Sequence, residues 1–199
     1  MYIFVGMELT VKKSRKEQIE EKATTLFQQR GYAATSMRDL AQVLGIEAAS
    51  LYSHIKSKEQ ILQKICFRMA EEFFNAWQEV EQEERSQAAK LEKAMIAHVK
   101  VITRDTAASA VFFNEWRHLS EPHLSEFLSM REDYEGRFIQ IIKEGMESGE
   151  FNPVDEKFTM LTVVSSLNWT HNWFKASGSL SPEEVGLRLA SLLLNGLKK

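Results

Sequence analysis

"GIEAASLYSHIKSKEQIL", residues 45–62, decides how this chain is read. A glycine opens it, a short stretch almost free of charge follows, and a Ser-Lys-Glu begins something new. Leu51 and Ile55 stand four apart and define the buried face of a helix of about two turns. Ala48, Ala49, Ser50, Tyr52 and His54 are then left around its outer face. A short helix with small residues outside fits the major groove of duplex DNA, about 12 Å wide. Alanine reaches thymine methyls there, and a serine hydroxyl reaches a base edge.

Upstream, Thr35 or Ser36 caps a helix with Met37, Leu40, Ala41 and Leu44 inward, and Gly45 ends it. Ala41 is small, so the two helices cross closely. Two short helices about a glycine turn form the pattern of a helix-turn-helix. Further upstream, Ser14 and Glu17 make a capping box for a helix with Ile19, Ala23, Leu26 and Phe27 on one face, stopped by Gly31. Residues 1–13 read as an arm before it. Lys12, Lys13, Arg15 and Lys16 are placed to track phosphates without sequence preference. Tyr52, His54 and Lys58 reach phosphates, and the next helix's N-terminus adds N–H groups. Ser36, Arg38 and Glu47 complete the expected DNA-facing set. The bland alternative is a three-helix bundle whose outer face means nothing.

"ATTLFQQRGYAATSMRDLAQVLGIEAASLYSHIKSKEQIL", residues 23–62, strongly resembles the amino-terminal domain of the TetR family of bacterial transcriptional regulators. The shared features are Ala-x-x-Leu-Phe, Gly-Tyr, a Thr-Ser cap, Leu-Ala, Gly-Ile, Leu-Tyr-x-His and Ser-Lys-Glu. Glu47 departs from the pattern, standing where the family has a Ser or Thr cap. Ile55 replaces a Phe, and Ala48 occupies a position that is often basic. Phosphates repel Glu47 unless it accepts from a cytosine N4 amine. The resemblance implies an all-α chain: a helix-turn-helix domain over 14–60 and a larger ligand-binding and dimerising domain over 61–199. It also implies a homodimer that reads an inverted-repeat operator in double-stranded DNA, acting in the cytoplasm as a ligand-released repressor.

Downstream residues extend the all-helical expectation. Ser57 and Gln60 form a capping box for a long helix with Ile61, Ile65, Met69, Phe73 and Val80 at nearly four-residue steps. Further helices are expected near 87–104 and 106–118, then one carrying Leu124 to Ile142, one from Asp155 to near "ASGS", and one from Ser181-Pro182-Glu183-Glu184. That gives about nine helices. No segment alternates as a strand does, and three prolines and nine glycines are few for a sheet protein. Leu161, Val164, Leu167, Leu189, Leu192 and Leu193 supply the expected dimer face, packed as a four-helix bundle.

Two clusters point to a ligand: "VFFNEWRHLSEPHL", 111–124, and "SLNWTHNWFKASG", 166–178. Aromatic rings with a few amides and one cation suit a large apolar ligand with a polar portion. The bland reading makes the tryptophans core or dimer contacts. Glu115–Ser120, Tyr134 to Phe151 and Leu167–Trp173 resemble the TetR-like subgroup that senses acyl-CoA thioesters. That resemblance places the acyl chain among Phe73, Trp77, Phe112, Tyr134, Phe138, Trp169 and Trp173. Asn114 or Asn168 bonds the thioester or pantetheine amides, and Arg117 or Arg131 faces phosphate. Arg137 and Lys175 are further cations near the clusters. A free hydrophobic compound, such as a drug or fatty acid, is the alternative ligand.

Charge agrees with two parts. Residues 1–66 carry ten Lys/Arg against seven Asp/Glu, a balance of +3, and 67–199 a balance of −6. One cysteine, Cys66, excludes an internal disulfide and a Cys-rich zinc site, and suits a reducing compartment. His54, His98, His118, His123 and His171 include no i,i+4 metal pair. Neither a glycine-rich phosphate loop nor a Gly-x-Ser-x-Gly is present, so no enzyme, metal or cofactor is expected. No apolar run is long enough for a membrane helix, and none is expected. Tyr2–Val5 is too short a run for a signal peptide, and Met7 is an alternative start. An interaction module without DNA contact remains the second alternative function.

Overall fold

The computed structural model describes residues 14–83 and 85–195. Among them every regular element is helical: α1 Arg15–Arg30, α2 Met37–Leu44, α3 Ala48–Tyr52, α4 Lys58–Glu81, α5 Gln87–Arg104, α6 Thr106–Glu115, α7 His123–Glu147, α8 Glu156–Asn168, α9 Thr170–Trp173 and α10 Pro182–Asn195. A single 3-10 turn, Trp116–His118, follows α6.

The amino-terminal caps form as local chemistry requires. Ser14 and Glu17 exchange hydrogen bonds at the head of α1, and Ser36 and Asp39 do so at the head of α2. Ser57 accepts from the Gln60 N–H, but the second half of that box is absent: Gln60 Oε1 accepts from the Lys56 N–H, 2.9 Å away. Gly45 turns the chain between α2 and α3 at φ +64°, a left-handed value that a β-carbon disfavours. The Ile46 N–H then bonds the Ala41 carbonyl at 3.0 Å, closing the turn. Ile19, Ala23, Leu26, Phe27, Leu40, Leu51, Leu62 and Ile65 form one core under α1–α4.

α4 runs unbroken through residues 60 and 61, where the expected domain boundary falls. Its first half packs into the amino-terminal core, and Trp77 and Val80 near its end enter a second core with Leu91, Met95, Phe138, Leu167 and Val185. α5 is the centre of the larger part, packed by α4, α7, α8 and α10.

The expected helix from Asp155 to "ASGS" is two helices. α8 stops at Asn168, whose carbonyl accepts from His171 Nδ1 at 2.6 Å, and α9 adds a single turn. The expected dimer face is also corrected in part. Val164 and Leu167 turn inward against the second core. The apolar residues exposed on α8 and α10 are Phe158, Leu161, Leu187 and Leu192.

Candidate DNA interface and ligand cavity

α3 presents Glu47, Ala49, Ser50 and Tyr52 to solvent, while Ala48 and His54 are half-buried and Leu51 is fully buried. Ala48 packs on the core edge. Glu47 makes no side-chain cap, so its carboxylate stays on the exposed face. Ser36 is exposed, but its hydroxyl and its backbone N–H both donate to Asp39 Oδ2, and these bonds hold the Asp39 carboxyl below its usual range. Arg38 is exposed. Arg15 Nη1 donates to Gln18 Oε1 at 3.0 Å. Lys12 and Lys13 lie outside the described residues.

Lys58 differs from the sequence expectation. Its Nζ donates to the carbonyls of Tyr32 and Thr35, at 2.6 and 2.7 Å, and sits 4.0 Å from the Tyr32 ring centroid. The ammonium therefore pins the α1–α2 loop to the head of α4.

In the larger part, a cavity of about 260 Å³ opens between α4, α5, α6, α7 and α8. Of the ligand residues that the sequence reading names, Phe73, Phe112, Arg117, Arg131, Tyr134 and Asn168 line it. The other expected ligand residues do not. Trp77 and Phe138 lie behind Tyr134, with ring centroids 5.4 and 5.7 Å from it, and are buried in the second core. Asn114 is exposed, because the α6 face that meets the cavity is that of Phe112, Phe113 and Trp116. Trp169 and Trp173 are 65% and 44% exposed. Trp169 follows Asn168, and one residue is about 100° around a helix; with Asn168 inward, Trp169 points out.

Sequence reasoning missed Ala70, Phe74, His98, Phe127, Met130, Glu135 and Val164 in the lining, and did not single out Phe113 and Trp116 within the 111–124 cluster. The i, i+4 pair Phe112/Trp116 was a usable signal. His98, set among Met95, Val99 and Ile102, was another: a lone imidazole on an apolar helix face requires partners.

His98 has those partners. Nδ1 lies 2.9 Å from the Tyr134 hydroxyl, and Nε2 lies 2.8 Å from Asn168 Oδ1. Burial pushes the imidazole down to about 4, against a smaller opposing effect of Asn168, so the ring is neutral at pH 7. Burial likewise pushes the Tyr134 phenol upward, so it keeps its proton.

Cations gather at one side of the cavity. Arg117 and Arg131 place their guanidinium carbons 4.4 and 5.7 Å from the Trp116 ring centroid. Arg131 also pairs with Glu135 at 2.7 Å, whereas Arg117 has no carboxylate partner among the described residues. Arg137 is held by Glu81 over the rings of Phe74 and Trp77, and neither it nor Lys175 lines the cavity. The described residues contain no cluster of three metal-ligating side chains, and no helix long and apolar enough to cross a membrane.

A helix-turn-helix on a helical body with an aromatic cavity defines a class of DNA-binding regulators, and the family models agree. Residues 19–65 match the model for bacterial regulatory proteins of the tetR family, and 84–197 match a tetracyclin repressor-like C-terminal domain. The chain belongs to the TetR family. It is 28% identical to the HTH-type transcriptional repressor KstR2 of Mycolicibacterium smegmatis, over 92% of this chain and 91% of that protein. The structure of the TetR family regulator PfmR from Thermus thermophilus is 30% identical, with TM-score 0.80, covering 94% of this chain and all of that one. The fold also matches AibR in complex with isovaleryl coenzyme A and operator DNA, at 23% identity and TM-score 0.78, over 90% of this chain and 97% of that one.

Proposed function

We propose that the chain is a repressor that binds an inverted-repeat operator as a homodimer in the cytoplasm and is released by an acyl-CoA thioester. The observation that carries the ligand is the cavity: apolar walls, a neutral polar group inside and two guanidiniums beside Trp116. A cavity of about 150 Å³ holds benzene, so one of about 260 Å³ takes an acyl group and not a whole coenzyme. The nucleotide phosphates then stay outside, toward Arg117 and Arg131. His98, Tyr134 and Asn168 hydrogen-bond one another as a neutral group, so they offer a carboxylate no ion pair; the cations of the lining lie beside Trp116. KstR2 is named a repressor, which supports repression, and AibR is solved in complex with isovaleryl coenzyme A and operator DNA, which supports a CoA thioester as the class of ligand.

On the DNA side, Glu47, Ala49, Ser50 and Tyr52 enter the major groove. Arg15, Ser36, Arg38 and His54 flank it with the Lys12–Lys13 arm, and Lys58 acts by positioning the loop. Phe158, Leu161, Leu187 and Leu192 of α8 and α10 meet their counterparts in a second copy. The ligand releases DNA only if it binds the non-operator spacing of the two α3 helices more tightly. Melting curves with acyl-CoA and the matched free acid test the reading, alongside gel retention on the gene's upstream inverted repeat. A thioester should raise the melting temperature and free the DNA, and the acid should do neither. Equal stabilisation by the acid, or none by any CoA thioester, overturns it.

A further inference from the structure

The Tyr134–His98–Asn168 chain has a fixed proton order, and that order determines what it offers the cavity. The His98 ring, 2% exposed, carries one proton when neutral. Nε2 faces Asn168 Oδ1, an acceptor, so Nε2 holds that proton and donates it. Nδ1 is left as an acceptor and takes the Tyr134 hydroxyl proton. Both ring nitrogens and the phenol proton are then engaged. The Asn168 amide NH₂ remains, with no partner among the described residues, together with the free lone pairs of the Tyr134 oxygen. Both side chains line the cavity. Around them the walls are rings: Phe73 lies with its centroid 4.6 Å from His98 and 5.5 Å from Tyr134, and Phe112 lies 5.4 Å from Phe73. The part of the cavity beside His98 thus offers the Asn168 NH₂ as a donor and the Tyr134 oxygen as an acceptor among aromatic rings, apart from the guanidiniums beside Trp116, and an unmade hydrogen bond there is costly.

We propose that Asn168 is the specificity-determining residue of the cavity: its NH₂ donates to the carbonyl oxygen of a neutral acyl group, with His98 and Tyr134 fixing the amide's orientation. The Tyr134 oxygen accepts from an N–H or O–H next to that carbonyl, as an amide or a hydroxyacyl chain provides. A ligand without the carbonyl leaves the NH₂ buried and unpaired. Discrimination is therefore against its absence, not merely in favour of its presence. The proposal rests on the reading of the cavity as an acyl-thioester site.

Two CoA derivatives of equal chain length test it: the acyl-CoA thioester, and the S-alkyl-CoA thioether in which the carbonyl is a methylene. Affinities are measured by calorimetry for the full-length protein and for Asn168→Leu and Asn168→Asp. The aspartate is nearly isosteric and carries the test if the leucine variant does not fold. The natural protein should bind the thioester at least tenfold more tightly than the thioether, and both variants should lose that preference mainly through weaker thioester binding. Tyr134→Phe should reduce the preference less, because the Asn168 NH₂ survives. Equal binding of thioester and thioether by the natural protein overturns the proposal while the acyl-CoA reading stands. So does a preference that persists in the folded variants. If neither derivative binds the natural protein, the acyl-CoA reading falls and this proposal falls with it.

Discussion

Acidification should destabilise this protein through His98 before any carboxylate contributes. In the unfolded chain the imidazole takes up a proton near its ordinary 6.5, whereas in the folded protein desolvation delays this to about 4. At pH 7 and above both states are neutral and the residue has no pH-linked effect. As pH falls through 6.5 the unfolded state gains a proton that the folded state refuses, and the balance moves toward unfolding. Each pH unit below 6.5 costs about 1.4 kcal/mol until the folded value is approached. Between pH 7 and 5 the loss is therefore about 2 kcal/mol. For a chain of this length that lowers the melting temperature by roughly 4–8 °C. Calorimetric melts at half-unit steps from pH 7.5 to 5 measure it, with His98→Gln as comparison. Glutamine keeps an amide for Asn168 and Tyr134 but does not titrate, so its profile should be nearly flat over that window. Carboxylates held below their usual range lose their contribution only at lower pH. They include Glu83, brought to about 2 chiefly by its hydrogen bonds with Arg85. A wild-type profile that is flat from pH 7 to 5, or a glutamine variant with the same slope, would refute the reasoning.

Lys58→Met should weaken binding to all DNA sequences and lower stability by about 1–2 kcal/mol, since two carbonyls lose a charged donor. Its salt slope in gel retention should match that of the natural protein, whereas loss of a direct phosphate contact would reduce the slope by about one. Gly186→Ala should cost about 1–3 kcal/mol in chemical melts, because its Cβ would fall 2.8 Å from Ile96 Cα where α10 crosses α5. Phe158→Glu with Leu192→Glu should give a monomer by light scattering at micromolar concentration, with operator affinity reduced at least a hundredfold.

Local chemistry in the sequence determined the helix-turn-helix and the all-helical class. Ser14, Ser36 and Ser57 cap helices using atoms within three residues, and Gly45 turns because it lacks a β-carbon. Leu51 buries the inner side of α3 as its pattern suggests, but the helix is one turn shorter than expected: it ends at Tyr52, and Ile55 is buried from the turn that follows it. The caps and the glycine turn need no distant partner, so they are legible in one sequence. The cavity is different, because five helices from separate parts of the chain meet there. Helical periodicity identifies an apolar face but not the neighbour that face meets. Tyr134 reaches the cavity while Phe138, one turn on along α7, is sealed behind it. Asn168 points inward and Trp169 outward because α8 docks on α5 at one particular rotation. The Lys58 ammonium bonds carbonyls 23 and 26 residues away, in a loop that only the packing of α1, α2 and α4 brings within reach. His98 becomes the centre of a polar chain for the same reason: its partners lie 36 and 70 residues further on. Only the tertiary structure sets such distances, because burial of the apolar faces fixes the helix rotations together.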